Sequence, residues 1–95
     1  MAEKAYLAVD IGASSGRHVV GRFDGKRLTL EELYRFENGP VEVQGSLHWD
    51  LLGLWSHVKN GLRAASGRGP IVSVGVDTWG VDFGLLARDD VLLGN

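Results

Sequence analysis

The octapeptide Asp10-Ile11-Gly12-Ala13-Ser14-Ser15-Gly16-Arg17 joins a carboxylate, a glycine-flanked turn carrying two hydroxyls, and a guanidinium. Each part suits a polyphosphate. Backbone amides in such a turn can converge on phosphate oxygens, the Ser14 and Ser15 hydroxyls add donors, and the planar fork of Arg17 neutralises charge. Asp10 would repel phosphate directly, so its role on this reading is to hold Mg²⁺ or its water shell, because magnesium keeps several waters and takes few carboxylates. The alternative is a plain hairpin turn in which Asp10 satisfies local amides. The segment is neither a Walker loop, which needs Gly-Lys-Ser/Thr, nor a G-x-G-x-x-G dinucleotide fingerprint.

A second carboxylate, Asp77, closes the apolar run Ile71-Val72-Ser73-Val74-Gly75-Val76 and precedes Thr78-Trp79-Gly80. Asp77 can face a sugar or a metal-bound water, or it can cap the amides of the turn that follows. Trp79 offers a flat apolar face to a sugar ring, or ordinary packing. Gly80 allows close backbone approach by a ligand, or supplies a turn dihedral. Asp82 reads better as a strand residue facing solvent or making a local hydrogen bond than as a further cleft acid. His18, His48 and His57 share no metal-ligand spacing, and none is assigned to a metal.

The elements that must position these groups follow from periodicity. Ala5 to Val9 is a continuous apolar run and predicts a buried strand that delivers Asp10 at its carboxyl end. Arg17 to Phe23 resumes a strand pattern, Asp24-Gly25 signals a two-residue hairpin, and Leu28 to Phe36 returns, which predicts a three-stranded antiparallel meander. Gly39-Pro40 and Gly45-Ser46 mark an irregular excursion with a small hairpin around Gly45. Asp50 is suited to cap a helix whose apolar residues Leu51, Leu54, Trp55, Val58, Leu62 and Ala65 recur at helical spacing, with Trp49 and Trp55 packing it on the sheet. Ile71 to Val76 predicts a second buried strand. The runs flanking Arg88-Asp89-Asp90 predict a closing hairpin, and the end at Asn95 reads as a cut within a longer domain.

A right-handed crossover through the helix places this second strand parallel to the first. The predicted fold class is therefore α/β: a ribonuclease-H-like, actin-like half-domain. It holds a mixed sheet, an antiparallel meander, one crossover helix, a parallel fourth strand and a terminal hairpin. Asp10 and Asp77 then share one cleft.

Composition narrows the field further. Ninety-five residues, 44% apolar and 23% charged, fit one small globular domain. A net charge of −2 with interspersed signs offers no footprint for nucleic acid or an anionic membrane. Cysteine is absent, which rules out disulfides and thiolate metal sites, and no signal-peptide or membrane-span pattern is present. A cytoplasmic location is expected.

Asp10 to Arg17 resembles the first phosphate motif of the actin, Hsp70 and sugar-kinase superfamily, and Arg17 narrows the likeness toward carbohydrate kinases. Tyr34-Arg35-Phe36-Glu37-Asn38-Gly39, Leu47-His48-Trp49-Asp50 and the nonamer Gly75 to Phe83 are similar to the FGGY carbohydrate kinases, the nonamer being the most discriminating. The likeness spans almost the whole chain and implies that residues 1–95 are the incomplete amino-terminal part of the first kinase domain. It implies transfer of the ATP γ-phosphoryl group to the 1-hydroxyl of L-rhamnulose with Mg²⁺ as cofactor. By the same match Ala13, Ser14, Ser15, Gly16 and Arg17 correspond to the ATP-contacting turn, Gly80 corresponds to a sugar-contacting position, and Asp10 would sit near the metal. The family's base, an Asp in a His-Thr-Asp segment, has no counterpart here. The 95 residues alone are therefore expected to be inactive, and their uncovered strand edges to favour self-association. Related readings are another FGGY ketose or polyol kinase, an actin- or Hsp70-like ATPase, and a noncatalytic binding module.

Overall fold

The structure, a computed structural model, describes residues 3–95. Strands β1 (Lys4–Ile11), β2 (Ser15–Phe23) and β3 (Leu28–Glu37) form the expected antiparallel meander. A small hairpin, β4 (Pro40–Val43) and β5 (Ser46–Trp49), leads into helix α1 (Leu51–Ser66). The chain then returns as β6 (Ser73–Thr78), parallel to β1, which makes a four-stranded mixed sheet in the order β3-β2-β1-β6. A last hairpin joins β7 (Leu85–Leu86) to β8 (Leu92–Gly94). No helix among the described residues is long and apolar enough to cross a membrane.

Local chemistry accounts for most of these boundaries. Asp50 caps α1, its carboxylate accepting from the Gly53 amide at 3.0 Å. The β4–β5 turn places Gln44 at φ 50° and Gly45 at φ 82°, the left-handed pair that a tight hairpin requires. The β2–β3 connection is longer than the two residues expected. Asp24 to Arg27 form the loop, because the Asp24 carboxylate accepts from the amides of Lys26 (2.8 Å) and Arg27 (2.7 Å) and so fixes a four-residue turn. Those bonds hold the Asp24 pKa below the usual carboxylate value. The closing hairpin is also shorter than its apolar runs, with a single 3₁₀ turn at Arg88–Asp90 between its strands.

The core lies between α1 and one face of the sheet. Leu7, Val9, Val20 and Ala65 form it, with Ala5, Ile11, Leu33, Val58 and Ile71 packed at its margin. Register pairs Leu7 with Val20, Val9 with His18, and Ile11 with Gly16, so alternate residues of β1 and β2 present one continuous buried face. The expectation that β1 is buried on both faces fails at Tyr6 and Ala8, which are exposed. Every residue of β6 is exposed as well, although its sequence carries the pattern of a buried strand. Both outcomes have one cause: α1 packs against β2 and β3, and nothing among the described residues covers β6 or the second sheet face.

The apolar stripe of α1 is rotated from the expected one. Gly61 and Ala65 are its buried residues and Trp55 is 56% exposed, so Trp55 does not pack the helix on the sheet. His18 explains the rotation. Its ring is fully buried and lies against Gly61, where a Cβ would overlap it, so the helix turns its smallest residue to the sheet.

The His18 Nε2–H donates to the Val58 carbonyl at 3.1 Å, and its buried Nδ1 has no partner among the described residues. Burial lowers the His18 pKa from 6.5, and the bond to Val58 offsets this only in part. The folded state then binds fewer protons than the unfolded chain. The stability contributed by neutral His18 is complete above the ordinary value of 6.5 and is lost as pH falls below it. Stability measured by urea denaturation should rise as pH increases through the ordinary histidine value, and this rise should be absent in His18→Gln. A rise unchanged in the variant would assign the effect to other groups.

Candidate phosphate and metal site

The register of β1 with its two neighbours builds the site. Asp10 is the pairing partner of Arg17 on β2 and of Asp77 on β6, and Arg17 is in turn the partner of Arg35 on β3. Residues paired laterally share a face, so Asp77, Asp10, Arg17 and Arg35 make a charged row across the sheet, on the side away from α1. The row lies at the carboxyl ends of the parallel strands β1 and β6, beside the turn Gly12 to Ser14. Open α/β sheets characteristically place their ligands at such ends.

Arg17 Nε donates to Asp10 Oδ2 at 3.3 Å, with both side chains about half exposed. An exposed pair of this kind contributes about 0–1 kcal/mol, so exchanging its partners for a phosphate and a cation costs little. Arg35 is held by Glu32 at 2.7 Å, and this contact raises the Arg35 pKa while lowering that of Glu32. Asp77 is exposed, and among the described residues no amide of the following turn donates to it, which removes the capping alternative.

The turn is shorter than its glycine-flanked sequence suggests. Ser15, Gly16 and Arg17 belong to β2, and only Gly12, Ala13 and Ser14 lie between the strands. Gly16 is buried because Phe36 of β3 occupies the place of its side chain. Gly12 N donates to Ser15 O at 2.9 Å and closes the turn. Ala13 and Ser14 are exposed, and their amides donate to no protein acceptor among the described residues. Two free amides beside a guanidinium suit an anion.

Two residues of this region, Arg35 and Asn38, stand in the quoted hexapeptide Tyr34 to Gly39 but were given no site role from the sequence. Arg35 extends the charged row. Asn38 reaches the turn from the end of β3, its Nδ2 donating to Gly12 O at 2.9 Å and its backbone amide to Ser14 O at 3.0 Å. Nothing in the local sequence pairs residue 38 with residues 12 and 14, and only the β2–β3 register brings them together.

The residues expected to meet a sugar divide between two sides of the sheet. Asp77 stands in the charged row, whereas Trp79 lines an apolar cleft of about 310 Å³ on the α1 side with Ile11, Leu54, Trp55 and Phe83. Trp79 packs on Trp49 with ring centroids 4.4 Å apart, and both indole N–H groups donate to Asp82 Oδ2, at 2.7 Å and 3.1 Å. Asp82 lies between β6 and β7, not in a strand as expected; its bond to Trp79 is local, and that to Trp49 spans 33 residues. Gly80 has open space where a side chain would stand, and the left-handed residue of this turn is Val81, at φ 69°. Gly80 therefore does not supply an unusual turn dihedral. The cleft is lined mainly by apolar residues, whereas the charged row has the donors that phosphate chemistry requires.

Among the described residues no group of three or more His, Cys, Asp and Glu could hold a metal on its own. Two exposed carboxylates side by side fit a cation that keeps most of its waters and shares its remaining positions with phosphate oxygens.

The chain has relatives that match it over most of its length. The sequence is 48% identical over 89 residues to the rhamnulokinase of Bacteroides thetaiotaomicron, a match covering 93% of the chain. It is 49% identical over 85 residues to that of Halalkalibacterium halodurans, covering 88%. The chain is related to the rhamnulokinases. A third rhamnulokinase, from Oceanobacillus iheyensis, is 39% identical over 92 residues and 96% of the chain. The chain spans about a fifth of the length of these curated rhamnulokinases. No protein-family model matches it.

Proposed function

We propose that residues 1–95 form the opening of the first domain of an FGGY carbohydrate kinase, and that the full-length protein phosphorylates L-rhamnulose at its 1-hydroxyl, using ATP and Mg²⁺ in the cytoplasm. The observation that carries this reading is the register of β1 with β6. It sets Asp10 beside Asp77 and Arg17, next to a turn with free amides, in a chain similar to rhamnulokinases. The strand order β3-β2-β1-β6 with its crossover helix supports the ribonuclease-H-like assignment. Bound Mg²⁺ would supply charge neutralisation between phosphate groups.

Within this chain, Ala13 and Ser14 present amides and a hydroxyl to the phosphates, Ser15 adds a second hydroxyl, and Gly16 keeps β2 close against Phe36. Arg17 leaves Asp10 to pair with a phosphate oxygen, and Asp10 holds the hydrated cation. Gly80 admits the sugar, with Asp77 and Trp79 on either side of its approach. Positioning and charge neutralisation dominate phosphoryl transfer, and both need parts from two lobes. The isolated 95 residues, which lack a counterpart to the family's base, should therefore turn over no substrate.

The test is ATP-dependent phosphorylation by the full-length protein across L-rhamnulose, L-fuculose, D-xylulose, L-ribulose and glycerol, with the 95-residue chain alongside. A preference for L-rhamnulose confined to the full-length protein is expected. Preference for another ketose or polyol would move the substrate within the FGGY kinases, and sugar-independent ATP hydrolysis would favour an Hsp70-like ATPase.

A further inference from the structure

We propose that Asn38 is a positioning residue for the phosphate turn: by holding the Gly12 carbonyl from within, it keeps the Ala13 amide turned outward to an anion. The inference rests on the phosphate reading of Gly12 to Arg17 and adds a residue to it.

A three-residue connection between strands has several accessible backbone conformations, and here its own sequence contributes one closing bond, Gly12 N to Ser15 O. A peptide plane carries its N–H and C=O in opposite directions, so fixing a carbonyl fixes the direction of the amide that follows it. Gly12 O and Ser14 O both accept from Asn38, one from its side chain at 2.9 Å and one from its backbone at 3.0 Å. The Gly12 carbonyl shares its plane with the Ala13 amide. Holding that carbonyl inward therefore aims the Ala13 N–H outward.

The anchor is itself held. Asn38 directly follows β3, where Phe36 sits over Gly16 and stacks on His57 of α1, with centroids 4.5 Å apart and planes 6° from parallel. Tyr34, two residues earlier, bonds His57 Nδ1 at 2.7 Å and contacts His18 edge-on at 5.7 Å. The turn is thus tied through one face of β3 to the helix, and Asn38 is the last link. The chemistry of that link is specific. A carboxylate at position 38 would turn an oxygen toward Gly12 O, and Ala would leave only the backbone bond.

Two readouts on the full-length protein test the proposal: amide hydrogen exchange of the segment containing residues 12–15 without ligand, and steady-state kinetics with ATP and L-rhamnulose. In Asn38→Ala and Asn38→Asp, exchange in that segment should quicken by about 3- to 10-fold and KM for ATP should rise by a similar factor, as expected for one lost hydrogen bond. KM for the sugar and exchange in α1 should stay within about twofold. Asn38→Gln, which retains the amide donor, should recover part of both effects. Unchanged turn exchange and unchanged ATP KM in the Ala and Asp variants would overturn the proposal, as would equal loosening of α1, which marks a general structural role. If the unaltered protein phosphorylates no sugar, the kinase reading falls, and the exchange data alone decide whether Asn38 orders the turn.

Discussion

Asp10→Asn in the full-length protein should lower kcat for sugar phosphorylation by about 10²-fold or more, the scale of removing one preorganised charge from a transition state. The substitution preserves the shape of the side chain but not its charge. Arg17 loses an ion pair of about 0–1 kcal/mol, so the urea midpoint should barely move. Asp10 lies at the centre of the row, between Asp77 and Arg17, and no neighbouring carboxylate in the row occupies its place beside the turn. Raising the Mg²⁺ concentration should recover part of the lost rate if Asp10 acts through the cation. A kcat within about threefold of the unaltered protein at ordinary Mg²⁺ would remove Asp10 from the site.

The second large effect concerns the core. Gly61→Ala should destabilise the fold by about 1–3 kcal/mol even though Ala exceeds Gly in helix propensity by about 1 kcal/mol. An added Cβ overlaps the His18 ring, and that ring cannot retreat, being fully buried and bonded to the Val58 carbonyl. Urea denaturation of Gly61→Ala, His18→Ala and the double variant measures this directly. The double variant should lose less than the two singles together, because removing the ring removes the overlap. A stabilised Gly61→Ala would mean that the helix does not approach the sheet as closely as described.

Much of the local structure was legible in the residues themselves. Alternation and continuous apolar runs gave the strands, Asp50 gave the helix start, and Gly45 gave the small hairpin, since each depends on a period or a turn dihedral set within a few residues. Acids at the ends of two apolar runs and a crossover helix between them were enough to predict a parallel pair. The structure pairs those strands with Asp10 opposite Asp77.

Other features were not legible for physical reasons. The burial of a strand depends on which layer covers it: Val72, Val74 and Val76 read as core residues yet stand exposed because α1 lies over β2 and β3. Trp55 fits the helical stripe by spacing, but His18 beneath Gly61 turns the helix away from it. The length of the β2–β3 loop followed from side-chain bonds of Asp24 that compete with the tighter turn.

By itself the sequence determined the kinds of element, their order and the chemical types placed at strand ends, since periodicity, capping and turn preference act over a few neighbouring residues. The tertiary structure alone decided that Arg17 and Arg35 line up beside Asp10 in one row, that Trp79 turns to the other side of the sheet with Trp49 and Asp82, and that Asn38 holds a turn 26 residues away. Those contacts depend on strand register and helix placement, which are settled by packing among groups distant in the chain.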